Sequence, residues 1–330
     1  MKVLVTGGGG FLGLNIVKRL LYEGDEVVCL DQNELGAEAL EFLNDHSSAF
    51  FFEKGDVRDF EKIRSVLNRY DIRRVIHAAA VTPSLKEEQA NPERIMEINF
   101  SGTVNVIHAA RESAVDRIVF VSSNSIYGDV EADDVRVTEE HPLNARNLYS
   151  IAKIASEMYC GRIQELSGLQ ILIGRVSSAY GPMEHPTSAR NHLSLVYQIV
   201  QQAIVGNEMK IFGESASRNW THVYDLAAAL TTLLKKEDLS YSVYNLSYGY
   251  SYSLKELLET VKKVEPKFRY SFTDTEKDAN LILSTGEHRG ILDNSRLIHD
   301  AGFVPAYNLQ KGLEQYLSWL RQAKLTNDFR

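Results

Sequence analysis

The chain has 330 residues, of which 44% are hydrophobic and 24% charged, and this composition is typical of a soluble globular chain of enzyme size. Its formal net charge is −8, and it contains no basic stripe to neutralise polynucleotide phosphates, which argues against a nucleic-acid partner. No apolar stretch reaches roughly 18 residues, and no secretory signal pattern opens the chain, so we expect a cytoplasmic protein without a membrane partner.

The first predicted elements are a strand, a helix and a second strand. Residues 2–6 form a short apolar run that is typical of a buried strand. Residues 11–23 carry apolar side chains at helical spacing, and Gly24 ends this pattern. Residues 26–30 again have the pattern of a strand. A strand, a helix and a strand in this order predict a βαβ unit.

Strand and helix patterns continue to alternate as far as about residue 176. One of the helices has Asn91 as its expected N-cap and Pro92 at its first position. Further apolar runs predict strands at residues 49–53, 75–78, 118–121 and 169–173. This alternation predicts the α/β class, with a Rossmann-type, doubly wound parallel sheet.

The alternation of strand and helix patterns becomes irregular in the second part of the chain, where helical patterns are scattered. No repeat or low-complexity linker separates the two parts. We therefore expect a first domain at residues 1–175, and a smaller C-terminal α/β lobe made mainly of residues 176–330. This division allows segments of the second part to pack in the first domain.

Two cysteines are present, and neither suggests a site. Cys29 lies in an apolar run and Cys160 in a helical pattern. They offer neither metal-ligand spacing nor a disulfide framework, so we expect two buried thiols and no metal site.

A cluster of five glycines lies in "TGGGGFLG", residues 6–13. Gly7, Gly10 and Gly13 fall where the first strand turns into the first helix, and there backbone N–H groups and the positive helix end can hold a pyrophosphate. An isolated pattern of this kind is also compatible with an ordinary flexible loop. Asp31 ends the second strand 18 residues after Gly13, close to the spacing at which a carboxylate binds the adenosine ribose. No positive charge directly follows Asp31, which favours NAD over NADP.

The segment "YSIAK" contains a candidate acid/base pair, Tyr149 and Lys153. Residues four apart share a helix face, and a neighbouring ammonium favours the phenolate, which makes Tyr149 a candidate general base. A second Tyr-x-x-x-Lys occurs at Tyr307 and Lys311, and chance copies are expected in a chain with 16 tyrosines. Tyr149, however, follows "VFVSSNSIYG", whose hydroxyls lie at the carboxyl end of a predicted strand, where ligands bind in open α/β sheets.

These residues resemble the extended short-chain dehydrogenase/reductases, in particular the NAD-dependent epimerase/dehydratase family. The motifs that carry the resemblance span nearly the whole chain. They are "TGGGGFLG", Asp31, "GDVRD" at 55–59, "HAAA" at 77–80, Asn99, "SSNSIYG", Tyr149 with Lys153, "YGP" at 180–182 and "RNWTHVYDLA" from Arg218. The resemblance implies that residues 1–175 bind NAD and that residues 176–330 mainly bind substrate.

The resemblance also implies individual roles. Ser123 would orient the substrate hydroxyl, Tyr149 would be the acid/base, and Lys153 would bind the nicotinamide ribose and lower the pKa of Tyr149. Asp56 and Val57 would border the adenine. The residues implied to contact NAD are Gly7, Gly10, Phe11, Leu12, Gly13, Asp31, Asp56, Val57, Ala78, Ala79, Ala80, Asn99 and Lys153.

Several of these residues have a purely structural alternative. Asp56 is also compatible with a helix cap before "VRDFEKI", and Ser123 with a strand-end hydroxyl bonded to the backbone. Asn99 can equally be a polar core residue. His77 has no Asp or Ser partner in the sequence, and we interpret it as a packed strand histidine.

The reaction type is narrowed by two positions. Dehydratases of the family carry an Asp-Glu pair directly after the catalytic Ser/Thr, because elimination of water needs an added acid and base. This chain has Asn124 and Ser125 there, which disfavours 4,6-dehydration. Epimerases and simple dehydrogenases use the same Ser, Tyr and Lys. We favour an epimerase, with an NAD-dependent dehydrogenase as the alternative.

The substrate-binding residues are expected at Ser125, Ser178, Arg190, Arg218 and Arg289. The last two resemble arginines that hold the diphosphate of a nucleotide sugar, although a guanidinium would equally hold a carboxylate. Ser178 replaces an Asn that is common in relatives. A carbohydrate substrate, nucleotide-linked in the favoured case, is therefore expected, with a sugar acid or small polyol as the alternative.

Two further expectations concern the whole molecule. The helical segment from Tyr149 to about residue 166 is apolar around much of its circumference, and in relatives this helix builds a dimer interface, so we expect a homodimer. A non-catalytic NAD-sensing protein is the remote alternative, because a fold alone does not imply activity.

Overall fold

The computed structural model describes residues 1–187, 189, 193–283 and 288–328. Its strands are β1 (Lys2–Thr6), β2 (Glu26–Asp31), β3 (Phe50–Lys54), β4 (Arg74–His77), β5 (Arg117–Ser123), β6 (Arg136–Val137), β7 (Gln170–Val176), β8 (Ser178–Tyr180), β9 (Glu208–Phe212), β10 (Trp220–His222), β11 (Val243–Leu246), β12 (Arg269–Phe272), β13 (Leu281–Ile282) and β14 (Ile291–Leu292).

The rest of the regular structure is helical, and it includes a few short 3₁₀- and π-helical turns besides the α-helices. The α-helices are α1 (Phe11–Tyr22), α2 (Ala37–Leu43), α3 (Phe60–Arg69), α4 (Leu85–Ala90), α5 (Pro92–Met96), α6 (Gly102–Arg111), α7 (Leu148–Ser167), α8 (Leu195–Val205), α9 (Val223–Lys235), α10 (Leu254–Val264), α11 (Ser295–His299) and α12 (Leu309–Asp328). No helix in the described ranges combines the length and the apolar character that crossing a bilayer requires.

Seven parallel strands form the main sheet, in the order β11, β7, β5, β4, β1, β2, β3. β1 pairs with β2 on one side and with β4 on the other. The winding direction of the chain therefore reverses beside β1, and in doubly wound sheets this switch point opens a crevice at the carboxyl ends of the strands. The predicted α/β class with a Rossmann-type sheet is confirmed.

The packing around β1 explains the apolar run at residues 3–5 of this strand. Val3 and Val5 belong to a core cluster that includes Leu14 of α1 and Leu230 of α9. Leu4 lies in a second cluster together with Ile107 of α6. Successive side chains of a strand point to opposite faces, and here helices cover both faces. Residues 3–5 therefore have no solvent-facing position, and the polar Lys2 lies at the partly exposed start of the strand.

Two segments from beyond residue 176 pack in this first domain. β11 extends the sheet beside β7, with Tyr244 opposite Gly174. α9 lies against α1 on one face of the sheet. The remaining second part of the chain forms another core, in which Ile199 of α8, Leu257 of α10 and Leu313 of α12 are fully buried.

The structure tests two local expectations at helix starts. As expected, Asn91 is the N-cap residue of α5 and Pro92 is its first residue, although the Asn91 side chain makes no capping hydrogen bond. α5 runs for only five residues before a π-helical turn at Glu97–Ser101 leads into α6. The helix after "GDVRD" is capped by Asp59, whose carboxylate accepts a hydrogen bond from the N–H of Lys62 at 3.0 Å. The capping alternative for Asp56 was therefore wrong, because the helix begins three residues further along.

Candidate active site

The carboxyl edge of the main sheet opens into a cleft of about 1100 Å³ that both parts of the chain line. The cleft is large compared with the roughly 300–1,000 Å³ of ordinary ligand pockets. Predicted site residues that line it are Gly7, Gly10, Phe11, Leu12, Gly13, Asp31, Asp56, Val57, Ala78, Ala79, Ala80, Ser123, Ser125, Tyr149, Lys153, Ser178, Arg218 and Arg289. Arg190 lies outside the described residues.

The glycine loop is shaped by close backbone contacts at two of its positions. Gly7 has a φ of +67°, and a Cβ there would lie 2.5 Å from the Cα of Ala79. A Cβ on Gly13 would lie 2.0 Å from the carbonyl oxygen of Gly7. Both positions therefore require glycine, Gly7 for the close approach of the segment after β4 and Gly13 for the packing of α1 against the loop itself.

Gly10 has no such requirement from the protein. A Cβ at Gly10 would meet only the carbonyl oxygen of Gly7, at an ordinary contact distance of 3.4 Å. Gly10 is also the N-cap of α1, no side chain caps this helix, and its first turn carries no acidic residue. The helix start thus presents free space, backbone N–H groups and positive dipole charge to the cleft, which fits a bound pyrophosphate.

Asp31 lies at the end of β2, directly behind the glycine loop. Its carboxylate accepts hydrogen bonds from the N–H of Gly9 at 3.0 Å and of Asn33 at 3.1 Å. Burial raises the pKa of Asp31 above its ordinary value, and these N–H groups act in the opposite direction. The carboxylate is thereby fixed in the cleft wall, where it fits the ribose hydroxyls of a dinucleotide.

The N-terminus of α7 fixes the position of Tyr149. The side chain of Asn147 accepts a hydrogen bond from the N–H of Ser150 at 2.9 Å, and the Ser150 hydroxyl accepts one from the N–H of Asn147 at 3.2 Å. This capping box determines where the helix begins, and so which residues of the first turns face the cleft. Tyr149 and Lys153 both line it.

Lys153 is almost completely buried behind Tyr149. Its ammonium donates a hydrogen bond to the carbonyl oxygen of Val121 at 2.7 Å and lies 5.7 Å from the centre of the Tyr149 ring. Burial lowers the pKa of Lys153 to about 8, and the negative charge of Glu157 opposes this effect. Ser123 completes the group at the end of β5, where its hydroxyl accepts a hydrogen bond from the N–H of Ser125 at 3.1 Å.

A buried polar network behind this group was not found from the sequence. Arg175 on β7 donates to the carboxylate of Glu157 at 2.6 Å and to the Tyr127 hydroxyl at 2.8 Å. Glu157 also accepts a hydrogen bond from Ser122, next to Ser123. The spacing of Lys153 and Glu157 indicates a shared helix face. Nothing in the sequence indicates that Arg175 is the partner, because it comes from a distant strand.

Asn99 is the described member of the predicted set that does not line the cleft. Its amide donates to the carbonyl oxygen of Val81 and accepts from the N–H of Val81, both at 2.9 Å. These contacts favour the alternative interpretation of Asn99 as a buried polar residue. It holds the backbone of Val81, which does line the cleft.

His77 is held between two hydroxyls, that of Thr6 at 2.6 Å and that of Thr103 at 3.0 Å. Burial lowers the pKa of His77 to about 3. The interpretation as a packed strand histidine agrees with these contacts, because a fully buried neutral imidazole with both nitrogens engaged has no role at the cleft.

The second part of the chain contributes Arg218 and Arg289 to the lining of the cleft. Arg218 donates to the carbonyl oxygen of Ser217 at 2.9 Å, and Arg289 to that of Gly128 at 3.5 Å. Ser178 also lines the cleft, at the start of β8. Two cationic side chains therefore line the same cleft as the glycine loop, and guanidinium groups suit an anionic ligand.

Comparisons with known proteins agree with this arrangement. The model of the NAD dependent epimerase/dehydratase family matches residues 3–247. A UDP-glucose 4-epimerase of Halalkalibacterium halodurans is 32% identical over 80% of this chain and 80% of its own length. A dTDP-glucose 4,6-dehydratase of Mycobacterium tuberculosis is 27% identical over 97% of this chain and 93% of its own length.

The fold is also similar to solved structures. A crystal structure of the UDP-glucose 4-epimerase of Thermus thermophilus in complex with NAD matches with a TM-score of 0.82 and 26% identity, covering 98% of this chain and 100% of that chain. The match to a family that is defined by its dependence on NAD confirms the predicted cofactor. The chain therefore belongs to the NAD-dependent epimerase/dehydratase family of the extended short-chain dehydrogenase/reductases.

Proposed function

We propose that this enzyme is a nucleotide-sugar epimerase that works by transient oxidation of one sugar carbon. The observation that supports this most directly is the content of a single cleft. Ser123, Tyr149 and Lys153 line it together with the glycine loop and with Arg218 and Arg289. Groups for a dinucleotide, for proton transfer and for a second anionic ligand thus face one space.

The first domain would hold NAD with its backbone and one carboxylate. The N–H groups at the start of α1 bind the pyrophosphate, and Asp31 accepts hydrogen bonds from the adenosine ribose. Asp56 and Val57 border the adenine, and the segment 78–80 lines the path between the two nucleosides. When bound, NAD accepts a hydride from the substrate carbon and returns it.

Proton transfer would be the task of Tyr149. Its phenolate takes the proton of the substrate hydroxyl as the carbon is oxidised, and the phenol returns that proton when the carbon is reduced from the other face. The ammonium of Lys153 favours the phenolate and also binds the nicotinamide ribose. The Ser123 hydroxyl orients the reacting oxygen of the substrate.

The second part of the chain would select the substrate. A guanidinium fork suits the paired oxygens of a diphosphate, and Arg218 and Arg289 supply two of them. Ser125 and Ser178 line the cleft and would contact the sugar. Asn124 and Ser125 provide neither the acid nor the base that dehydration needs, which is why we favour epimerisation over the 4,6-dehydratase activity of some relatives.

The test is an incubation of the purified protein with NAD and a panel of UDP-, GDP- and dTDP-sugars and sugar acids. We expect interconversion of one nucleotide sugar without net NADH absorbance. Net NADH would instead indicate a dehydrogenase of a sugar acid or small polyol, the alternative to which the replacement at Ser178 points. A 4-keto-6-deoxy product would indicate a dehydratase. Binding of NAD without any turnover would indicate a sensing protein.

A further inference from the structure

Arg218 and Arg289 are far apart in the sequence but are tied together by one carboxylate. Asp133 lies in the loop before β6 and accepts a hydrogen bond from the N–H of Ser217 at 3.0 Å. Its other oxygen accepts one from Nδ1 of His288 at 2.9 Å. Ser217 directly precedes Arg218, and His288 directly precedes Arg289.

A second side chain makes the matching connection on the other side of both arginines. Asn219, which is fully buried, donates to the carbonyl oxygen of Gly290 at 2.7 Å. Its amide oxygen accepts a hydrogen bond from the N–H of Leu292 at 2.9 Å. The residue before each arginine is therefore hydrogen-bonded to Asp133. The residues after the two arginines, Asn219 and Gly290, are hydrogen-bonded to each other.

The loop of Asp133 holds the His288 backbone as well. The N–H of His288 donates to the carboxylate of Asp129 at 2.7 Å, and its carbonyl oxygen accepts from the N–H of Val130 at 3.0 Å. Burial acts to raise the pKa of Asp133, but the hydrogen bonds from Ser217 and His288 outweigh it and hold that pKa below its ordinary value. The carboxylate form of Asp133 is thus the form that the folded chain favours.

We propose that Asp133 is a positioning residue that fixes Arg218 and Arg289 relative to each other, so that the two guanidinium groups are preorganised for the diphosphate of the substrate. This inference rests on the proposed function, which assigns the diphosphate to these arginines. Ordering a loop on binding costs conformational entropy, and the hydrogen bonds on both sides of each arginine fix its backbone before the ligand arrives. Asp133 itself needs no contact with the ligand.

For the removal of Asp133, the positioning role and simple electrostatics predict opposite changes in the affinity for an anion. Asp133 is a negative charge near an anion site, so its removal strengthens anion binding if only the long-range field matters. If Asp133 positions the arginines, its removal weakens binding instead. Asp134, the exposed neighbouring carboxylate, supplies a matched control because its removal changes the net charge by the same amount.

The test compares binding of nucleoside diphosphates to the NAD-loaded enzyme by calorimetry. UDP, dTDP and GDP are measured first, and the tightest of them is the probe. We expect Asp133→Ala to weaken the probe roughly tenfold and to raise KM with little change in kcat. Asp134→Ala should bind the probe at least as tightly as the unaltered chain. Asp133→Asn should recover much of the loss, because its amide oxygen can still accept from the N–H of Ser217 and its amide nitrogen can donate to the ring nitrogen of His288.

NAD affinity and the unfolding temperature of Asp133→Ala should stay close to those of the unaltered chain. If this variant does not fold, Asp133→Leu serves in its place, because leucine is close to aspartate in size and accepts neither the Ser217 nor the His288 hydrogen bond. Unchanged or tighter probe binding by the Asp133 variants, with clear losses in Arg218→Ala and Arg289→Ala, would overturn the positioning role alone. No loss in the two arginine variants would overturn the diphosphate assignment itself.

Discussion

Tyr149 is the residue on which the proposed proton transfer depends. Its ring faces the cleft beside the buried ammonium of Lys153, and its hydroxyl is the group that would exchange a proton with the substrate. Tyr149→Phe keeps the ring and removes only that hydroxyl. We expect turnover to fall by about 100-fold or more, while NAD affinity changes by less than about threefold. Steady-state kinetics and a fluorescence titration with NAD measure the two effects separately.

A matched control for this variant exists in the same chain. Tyr307 and Lys311 repeat the Tyr-x-x-x-Lys spacing, but Tyr307 stacks on the ring of His222, with ring centres 4.5 Å apart. Tyr307→Phe should therefore retain nearly full turnover. Equal losses in both variants, or full activity of Tyr149→Phe, would contradict the assignment of Tyr149 as the acid/base.

Lys153 gives a prediction that links pH to stability. Burial lowers its pKa to about 8 in the folded chain, from an ordinary value near 10.5 in the unfolded chain. Between these values the unfolded state binds one more proton than the folded state, so the cost of burying the ammonium is present in full below about pH 8 and disappears as the pH rises. Lys153→Met carries no such charge at any pH.

We therefore expect the unfolding free energy of the unaltered chain to rise relative to that of Lys153→Met above pH 8. The slope should approach about 1.4 kcal/mol per pH unit, the value for one proton. Urea titrations of both proteins without NAD, from pH 7 to pH 9.5, measure this difference. A difference that stays constant over that range would show that Lys153 remains protonated in the folded chain.

At the scale of elements, Arg117 connects β5 to the end of α9. The fully buried guanidinium donates to the carbonyl oxygens of Leu233 at 3.3 Å and Leu234 at 3.0 Å, in the last turn of the helix, and to the carboxylate of Glu237 at 2.9 Å. Carbonyl groups at a helix end have no partner within the helix, and a cation there is favourable. Arg117 thus fastens a helix from the second part of the chain to a strand of the first.

Arg117→Ala should consequently destabilise the fold by about 3 kcal/mol or more, because it leaves several buried acceptors without a hydrogen bond and creates a cavity. Arg73→Ala is the matched control. Arg73 pairs with Asp116 at 2.9 Å, but both side chains are about half exposed, so its loss should cost about 1 kcal/mol or less. Urea denaturation of the two variants gives the comparison, and similar losses would show that the contact of Arg117 with α9 contributes little.

Elements whose determinants are local could be predicted from the sequence. The periodicity of residues 2–30 predicts β1, α1 and β2 to within a residue, because buried strands and amphipathic helices leave distinct local patterns. The glycine loop was predictable for the same reason. Its position between β1 and α1, with Asp31 behind it, follows from spacing alone.

Contacts between distant segments could not be predicted in this way. β11 carries no local sign that it joins β7, and Glu157 carries none that Arg175 will neutralise it. The same holds for the contacts of Asp133, which depend on three loops meeting. Family resemblance identified Arg218 and Arg289, but not the residues that hold them, since such partners are set by tertiary packing.

At the scale of the whole molecule, α7 leaves apolar side chains exposed on the surface. Ile151 is 44% exposed and Met158 is 71% exposed, and residues seven apart share a helix face. An exposed apolar stripe of this kind on a helix that also carries the candidate acid/base indicates an interface. We propose that a second copy of the chain packs on this face, so that the protein is a homodimer.

Met158→Glu introduces a charge into the centre of the proposed interface and should convert the dimer to a monomer at micromolar concentration, because burying an unpaired carboxylate is costly. Sedimentation velocity measures the change directly. Tyr22→Glu is the control, since Tyr22 is equally exposed, at 74%, but ends α1, which packs on the opposite face of the sheet from α7. It should leave the dimer intact. An unaltered chain that sediments only as a monomer, or a Met158→Glu variant that remains dimeric, would contradict an interface built on α7.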